Sequence, residues 1–470
     1  MRKITRPTAI LLALLMATHA AGEGPDTTPL TQERAAAEER YQRLMAEGRN
    51  AEAAAAGLEV VTLTGQLHGT DSLALASPLT NLATAQLRNG DLRDAAANYQ
   101  AAIALLEKHD GFLSSRLINP LTGLGEAYVR SEQYALATQA YERALRVNHV
   151  NEGFYNLEQI GIRDGLTEGY LGQQDLDKAN FHQEAQIYIQ QRKLGRDNPA
   201  LVEPLNKLGR WYDRSNQTEA ARLVYQGAAR LVEKVDGEDS PGMVEPLVAI
   251  AETYRQQALL PPDPESNQSP DTLLPLSSMM LRKALGVVER QDPPDPAQRA
   301  RILVKLGDLY MMWGKQNTAS ERYREAWQAL SADPGLEARR DEFFARPARI
   351  MGPVPPAIFP VPSRNAPPPD AKDLEPAFVV VRFNVDELGR VTDATVIESD
   401  PANLLEERVQ ETAERTLFRP RFEDGAPVAT TGLVLRHEFR YAPKKLEKKD
   451  KPPAEDAGKP LQQPTSGSGA

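Results

Sequence analysis

No cysteine occurs anywhere in the 470-residue chain. That excludes disulfides, thiolate metal sites, iron–sulfur clusters, a cysteine nucleophile and a lipid-modified N-terminal cysteine. Aromatic residues are scarce, at 6%, and the alanine-rich stretches around them suit helices that pack through small contacts. An excess of positive charge is missing: 55 Lys and Arg stand against 65 Asp and Glu, a formal net charge of −10. This argues against a nucleic-acid binder that relies on an overall positive field. Catalytic patterns are wanting too. The six histidines, at 19, 68, 109, 149, 182 and 437, form no H-x-x-x-H or H-E-x-x-H spacing. There is no G-x-S-x-G elbow, phosphate loop or dinucleotide fingerprint. No catalytic residue, no metal site and no cofactor is expected, and His109 and His437 read as structural or exposed.

Hydrophobic runs are short. The run Ala9 to Ala17 follows the positive Arg2, Lys3 and Arg6 and precedes the small residues Ala20 and Ala21. It falls well below the roughly 20 apolar residues that a bilayer span needs. Residues 1–21 therefore read as a secretory signal cut near Ala20 or Ala21, and no stable membrane span is expected. The alternative is an uncleaved anchor.

What is present is a repeat. Leu124-Gly125-Glu126-Ala127-Tyr128, followed by Ala137, Tyr141 and Ala144, returns as Leu208-Gly209-Arg210-Trp211-Tyr212 with Ala221, Tyr225 and Ala228. It returns again as Leu306-Gly307-Asp308-Leu309-Tyr310 with Ala319, Tyr323 and Ala326. Weaker copies place the anchor Leu or Ile at 82, 124, 166, 208 and 250, each 42 after the last. A degenerate first copy is visible in Leu44, Gly48 and Ala53. Such copies are pairs of antiparallel helices that bury their apolar faces only by stacking. Pro78, Pro120, Pro204 and Pro246 sit where an opening helix has no amide bond to lose. A proline-bearing stretch, 261–275, is expected to be a loop inserted within one pair, with helix resuming at Ser277.

These residues resemble the tetratricopeptide repeat, in the 42-residue form of kinesin light chains, over 35–340 in six to seven helix pairs. The resemblance implies protein or peptide partners held along the first helix of each pair. On this sequence that face carries Thr122, Glu126 and Arg130, then Asn206, Arg210, Asp213 and Arg214, then Glu252 and Arg255. Its arginines suggest an acidic or carboxylate-bearing segment as partner.

After Arg346 the composition changes. Nine prolines between Pro347 and Pro369 predict a semi-rigid linker over 347–376. Val379, Val381, Phe383 and Val385 then alternate with Val380, Arg382, Asn384 and Asp386 as in a strand, and Asp386-Glu387-Leu388-Gly389 makes a turn. Arg390 to Ser399 returns as a second strand. Asp400-Pro401 reads as the start of a helix carrying Leu405, Val409 and Ala413. A last strand runs through Leu433, Val434, Leu435, Arg436, His437, Glu438, Phe439, Arg440 and Tyr441, and the basic, Gly/Ser-ended residues 443–470 read as a disordered tail.

The order strand, strand, helix, strand over 377–442, with Gly389-Arg390-Val391, Phe418-Arg419-Pro420 and Asp424-Gly425, resembles the C-terminal domain of the TonB family of Gram-negative envelope proteins. Phe359-Pro360 stands where that family has a short preceding segment. The resemblance implies that the strand 433–441 is an open sheet margin able to pair with an extended segment of an outer-membrane receptor.

The fold class expected is thus mainly α: a tetratricopeptide-repeat solenoid, a proline-rich linker and a small α+β domain. The function expected is that of a periplasmic protein–protein adaptor. The alternative is an inner-membrane-anchored energy transducer for outer-membrane transport, and a third reading makes the small domain a cap on the array.

Overall fold

The structure, a computed structural model, describes residues 28–260, 269–359 and 371–443. The signal-like residues 1–21 and all but the first residue of the tail lie outside them. The chain divides into two compact units, 1–198 and 199–470.

The first unit is built of four helix pairs. They are α1 (Thr28–Ala46) with α2 (Asn50–His68), α3 (Ala76–Asn89) with α4 (Leu92–Asp110), α5 (Ile118–Arg130) with α6 (Tyr134–Glu152), and α7 (Gln159–Gly172) with α8 (Leu176–Leu194). Each second helix stops at a glycine, Gly69, Gly111, Gly153 and Gly195, at φ +80° to +92°, a backbone shape that side chains resist. The proline of an opening helix, such as Pro78 or Pro120, occupies its third position, where the amide has no carbonyl to meet.

The repeat's glycine makes room for the repeat's tyrosine. A Cβ on Gly125 would stand 2.7 Å from the Tyr141 ring, and one on Gly165 of the following helix 2.2 Å from it. Tyr141 thus fills space owned by two consecutive copies, the stacking that makes the array cooperative.

The fourth pair breaks the rule inside. Gln159, Arg163, Thr167, Gln183 and Gln186 are all buried, at positions where the preceding copy has Leu117, Leu121, Gly125, Tyr141 and Ala144. They satisfy one another: Arg163 Nε donates to Gln159 Oε1 at 2.8 Å, Gln183 Nε2 to Thr167 Oγ1 at 3.0 Å and Gln186 Nε2 to Asp164 Oδ1 at 2.8 Å. His182 joins them with Nδ1 3.3 Å from an Arg163 guanidinium nitrogen and its ring stacked on Tyr170 at 5.6 Å.

The second unit continues with α9 (Val202–Arg214), α10 (Thr218–Asp236), α11 (Val244–Ala258), α12 (Pro270–Glu289), α13 (Pro296–Met312) and α14 (Gln316–Ser331), then a short α15 (Glu337–Phe344). The expected insertion ends earlier than the prolines suggest. Pro270 opens α12 behind a Ser269/Thr272 capping box, and Pro275 lies inside the helix. A proline in the second turn forfeits one backbone bond, and the cap supplies partners for the amides before it.

The small domain has a four-stranded sheet in the order β2-β8-β3-β4. Its strands are β2 (Ile358–Phe359), β3 (Glu375–Val385), β4 (Val391–Asp400) and β8 (Thr430–Tyr441), and α16 (Glu406–Glu414) covers one face. Val379, Val381, Phe383, Val385, Val409, Ala413 and Phe439 form its core. Gly389 takes φ +75° in the first turn, where a Cβ would strike the Phe418 carbonyl oxygen at 1.9 Å. Smaller pieces flank the sheet: β1 (Ala348–Met351) pairs antiparallel with β5 (Leu417–Arg419), and β6 (Arg421–Glu423) with β7 (Ala426–Val428).

Two expectations are corrected. The helix does not start at Asp400-Pro401, because Asp400 ends β4 and the chain first turns through Asn403 and Leu405, both with positive φ. The carboxylate that meets the waiting amide is that of Glu406, which accepts from Asn403 N at 2.8 Å. Nor are the described residues of 347–376 a free spacer. β1 and β2 give the proline-rich stretch backbone partners on the small domain itself.

Candidate functional site

Two surfaces carry the residues singled out from the sequence. On the first unit, Thr122 donates to its own helix at Ile118 O, 2.8 Å away, Glu126 is exposed, and Arg130 donates to the Leu87 carbonyl in the preceding pair. These three therefore serve structure or solvent and converge on nothing.

On the second unit the first helices of each pair set up a denser row. Asn206 is 6% exposed and its Oδ1 has no hydrogen-bond partner. One turn on, Arg210 pairs with Glu203 at 2.6 Å, both largely in water. Asp213 accepts from the Tyr225 hydroxyl through Oδ2 at 2.8 Å, while its Oδ1 is buried without a partner. Burial raises the Asp213 carboxyl above the usual carboxylate range, with the hydrogen bond from Tyr225 opposing and the charge of Glu252 adding to it. Arg214 leans over the Trp211 ring at 5.7 Å. On the next helix Glu252 is bonded by Arg255 and reached by Lys305 Nζ at 3.5 Å. Burial alone would raise the Glu252 carboxyl, but the Arg255 hydrogen bond and the Lys305 charge outweigh it and hold it low.

The arginines are thus less available to an acidic partner than their number implies. Arg255 is engaged by Glu252, Arg210 by Glu203 and Arg130 by a carbonyl. Two acceptors in the row, the Oδ1 atoms of Asn206 and Asp213, are buried without a hydrogen-bond partner and are closed to an incoming group. A buried acceptor without a donor is costly.

The row ends in a residue of the small domain. Arg419, 9% exposed, makes a two-pronged bond to Asp308, Nε to Oδ1 at 3.0 Å and NH2 to Oδ2 at 2.9 Å, and donates to Phe343 O at 3.0 Å. Tyr323 donates to the same Asp308 Oδ1 at 2.8 Å. Beside this joint Phe422 packs against Phe344, Tyr323 and Trp327, with centroids 5.0 to 6.1 Å away. The small domain is docked on the last helix pair, in contrast to the separation expected from the proline content. Sequence reasoning missed this joint. Its members sit in two recognised motifs, Phe418-Arg419-Pro420 and Leu306-Gly307-Asp308, but nothing in either motif points to the other.

The strand 433–441 lies within β8 and at the side of the sheet. β3 pairs with its inner margin from Glu375 to Val385. Its outer margin meets β2 in parallel, Ile358 opposite Arg440 and Phe359 opposite Tyr441. Arg440 N donates to Ala357 O at 2.9 Å and Ala442 N to Phe359 O at 3.0 Å. Arg440 and Tyr441 are therefore already covered, a correction to the open margin expected. Among the described residues no strand pairs with the outer side of 433–438. His437 stacks on Phe439 at 5.7 Å and its Nε2 lies 3.1 Å from Pro356 O.

Fold and surfaces together define a protein of stacked antiparallel helix pairs that carries a small strand-bearing domain after them. Residues 375–441 match the family model of the Gram-negative bacterial TonB protein C-terminal. Among solved structures the chain is similar to a kinesin light chain with nearly identical TPR-like repeats from Podosopora anserina, at 17% identity over 45% of this chain and 98% of that one, TM-score 0.39. It is also similar to the C-terminal part of a TPR repeat-containing protein from Cytophaga hutchinsonii, at 13% identity over 65% and 98%, TM-score 0.41. No curated protein matches the chain. No described helix is long and apolar enough to cross a membrane, and no group of His, Asp and Glu among the described residues is arranged to hold a metal ion.

Proposed function

We propose that this protein is a non-catalytic adaptor of the Gram-negative envelope, in which the margin of β8 takes up an extended segment of another polypeptide and the helical repeats hold a second protein partner. One observation carries the reading: from Leu433 to Glu438 the outer side of β8 presents backbone N–H and C=O groups with no strand beside them among the described residues. Such groups pair with any extended chain, main chain supplying affinity and alternate side chains selectivity. The alternation of the strand, fixed by the outward amides of Arg440 and Ala442, makes the amides of Val434, Arg436 and Glu438 the outward donors. The family match of the domain supports an outer-membrane receptor segment as the extended partner and the periplasm as the place.

The test is Val434→Pro. Val434 is 57% exposed, and proline there deletes one outward donor while leaving the β3 ladder its bonds. Cross-linking in cells followed by mass spectrometry is expected to recover the extended partner with the wild type and to lose it with the variant, at an unchanged melting temperature. Equal recovery by both would overturn the assignment to this margin.

A further inference from the structure

We infer that residues 353–359 are a resident occupant of the β8 margin, a self-ligand that an incoming strand must displace. The inference rests on the reading of that margin as the peptide site and adds its regulation. The segment is held at both ends. Upstream, β1 pairs with β5; downstream, Ile358 and Phe359 pair with Arg440 and Tyr441, and Phe359 packs against the domain core. Between these points the chain passes along β8 close enough for Pro356 O to meet His437 Nε2 at 3.1 Å. It is therefore a strap across the very side that a guest strand would use.

The strap's sequence makes it a poor occupant. Ala357 and Phe359 turn their carbonyls to β8, accepting from Arg440 and Ala442. In an extended chain the residues facing the same way are 355 and 353, and both are proline. Proline has no N–H, so the β8 carbonyls that a continued parallel ladder would serve, near Arg436 and Val434, receive nothing. Pairing stops after two residues, and Val354 is left 79% exposed. An incoming strand without prolines at those positions donates where the strap cannot. It wins the margin while the strap suppresses weaker or accidental strands, the protection that open sheet sides need.

The experiment uses the full chain and two labelled heptapeptides, PVPPAIF, copying residues 353–359, and TVTTAIF, in which the three prolines become threonine. TVTTAIF is expected to bind the wild type more tightly than PVPPAIF. Loosening the strap with Phe359→Ala is expected to raise the affinity for TVTTAIF about 10-fold, because a site that is mostly occupied loses apparent affinity in proportion to its free fraction. The opposite change is a reversible lock. The chain has no cysteine, so Ile358→Cys with Arg440→Cys, across a directly paired position, introduces the only thiols. Oxidation of that variant is expected to abolish binding, and reductant to restore it, with no redox effect on the wild type. If TVTTAIF binds none of these forms, including the reduced and loosened ones, the peptide-site reading itself fails. If it binds all of them equally, and Val434→Pro still weakens it, the margin stands and the strap is overturned.

Discussion

Gly307 and Tyr323 show how a single residue sets the packing of a repeat. A Cβ at Gly307 would stand 2.2 Å from the Tyr323 ring, which is 1% exposed and tied through its hydroxyl to Asp308 at 2.8 Å. The ring has nowhere to go. Gly307→Ala is therefore expected to destabilise the second unit by about 1 to 3 kcal/mol, overpacking outweighing the roughly 1 kcal/mol that alanine gains in a helix. Gly227, on α10 with nothing within 4 Å of a Cβ, is the control, and its alanine variant is expected to gain about 0.5 to 1 kcal/mol. Urea unfolding of both variants checks the contrast. This pairing was legible in the sequence because glycine and tyrosine recur together at 125 and 141, 209 and 225, and 307 and 323. The joint between Arg419 and Asp308 was not, because its partners are 111 residues apart and arginine next to proline reads equally well as solvent-facing.

Helix pairs differ in what they hide, and α7 with α8 is the odd one. Its buried interior is an amide and guanidinium network where its neighbours are apolar. Such a network is held by mutual satisfaction of its members, so removing or charging one of them is felt by all. Burial, then the nearby Arg163 charge, lower His182 from 6.5 to about 4, against the opposing charge of Glu142. In the unfolded chain the ring takes its proton near 6.5, and in the folded chain only near 4. Between those values acid favours the unfolded form, so stability is expected to fall as pH drops through this window, by on the order of 2 kcal/mol after allowing for partial solvation. Melting curves from pH 7 to 4 are expected to show the decline, and His182→Gln to flatten it; parallel curves would remove His182 as the cause. Anchor spacing revealed this pair in the sequence but not its interior, since Gln and Arg within a helix look like surface. The proline-rich stretch misled in the opposite sense. Composition reads it as a spacer, whereas strand pairing at 348–351 and 358–359 is decided by carbonyls that composition does not register.

At the scale of the molecule, the second unit unites three helix pairs and the sheet domain. Arg419 is 10% exposed in its side chain and Asp308 22%, and both lie beside the cluster of Phe422, Phe344 and Trp327. Removing one partner of such a pair leaves an unbalanced charge, and Arg419→Ala is expected to cost about 2 to 4 kcal/mol. Asp308→Ala combined with it is expected to cost less than the sum of the two single changes, with a coupling of about 1 to 3 kcal/mol. Additive losses in thermal unfolding would show the bond to be incidental. A chain ending at Arg346 is expected to melt below the full chain for the same reason, because it uncovers Tyr323, Trp327 and Phe344.

The docked arginine is one route by which a mechanical load would travel, beside the covalent chain that runs from α15 into β1. A guest strand on β8 that is tugged along its length loads the β3–β8 ladder lengthwise, so that many rungs resist together instead of opening one after another. The tension then leaves the sheet domain through β5, where a guanidinium grips a carboxylate on α13. A pull at the sheet is thus delivered to the helices through a stiff coupling rather than absorbed by a slack cord.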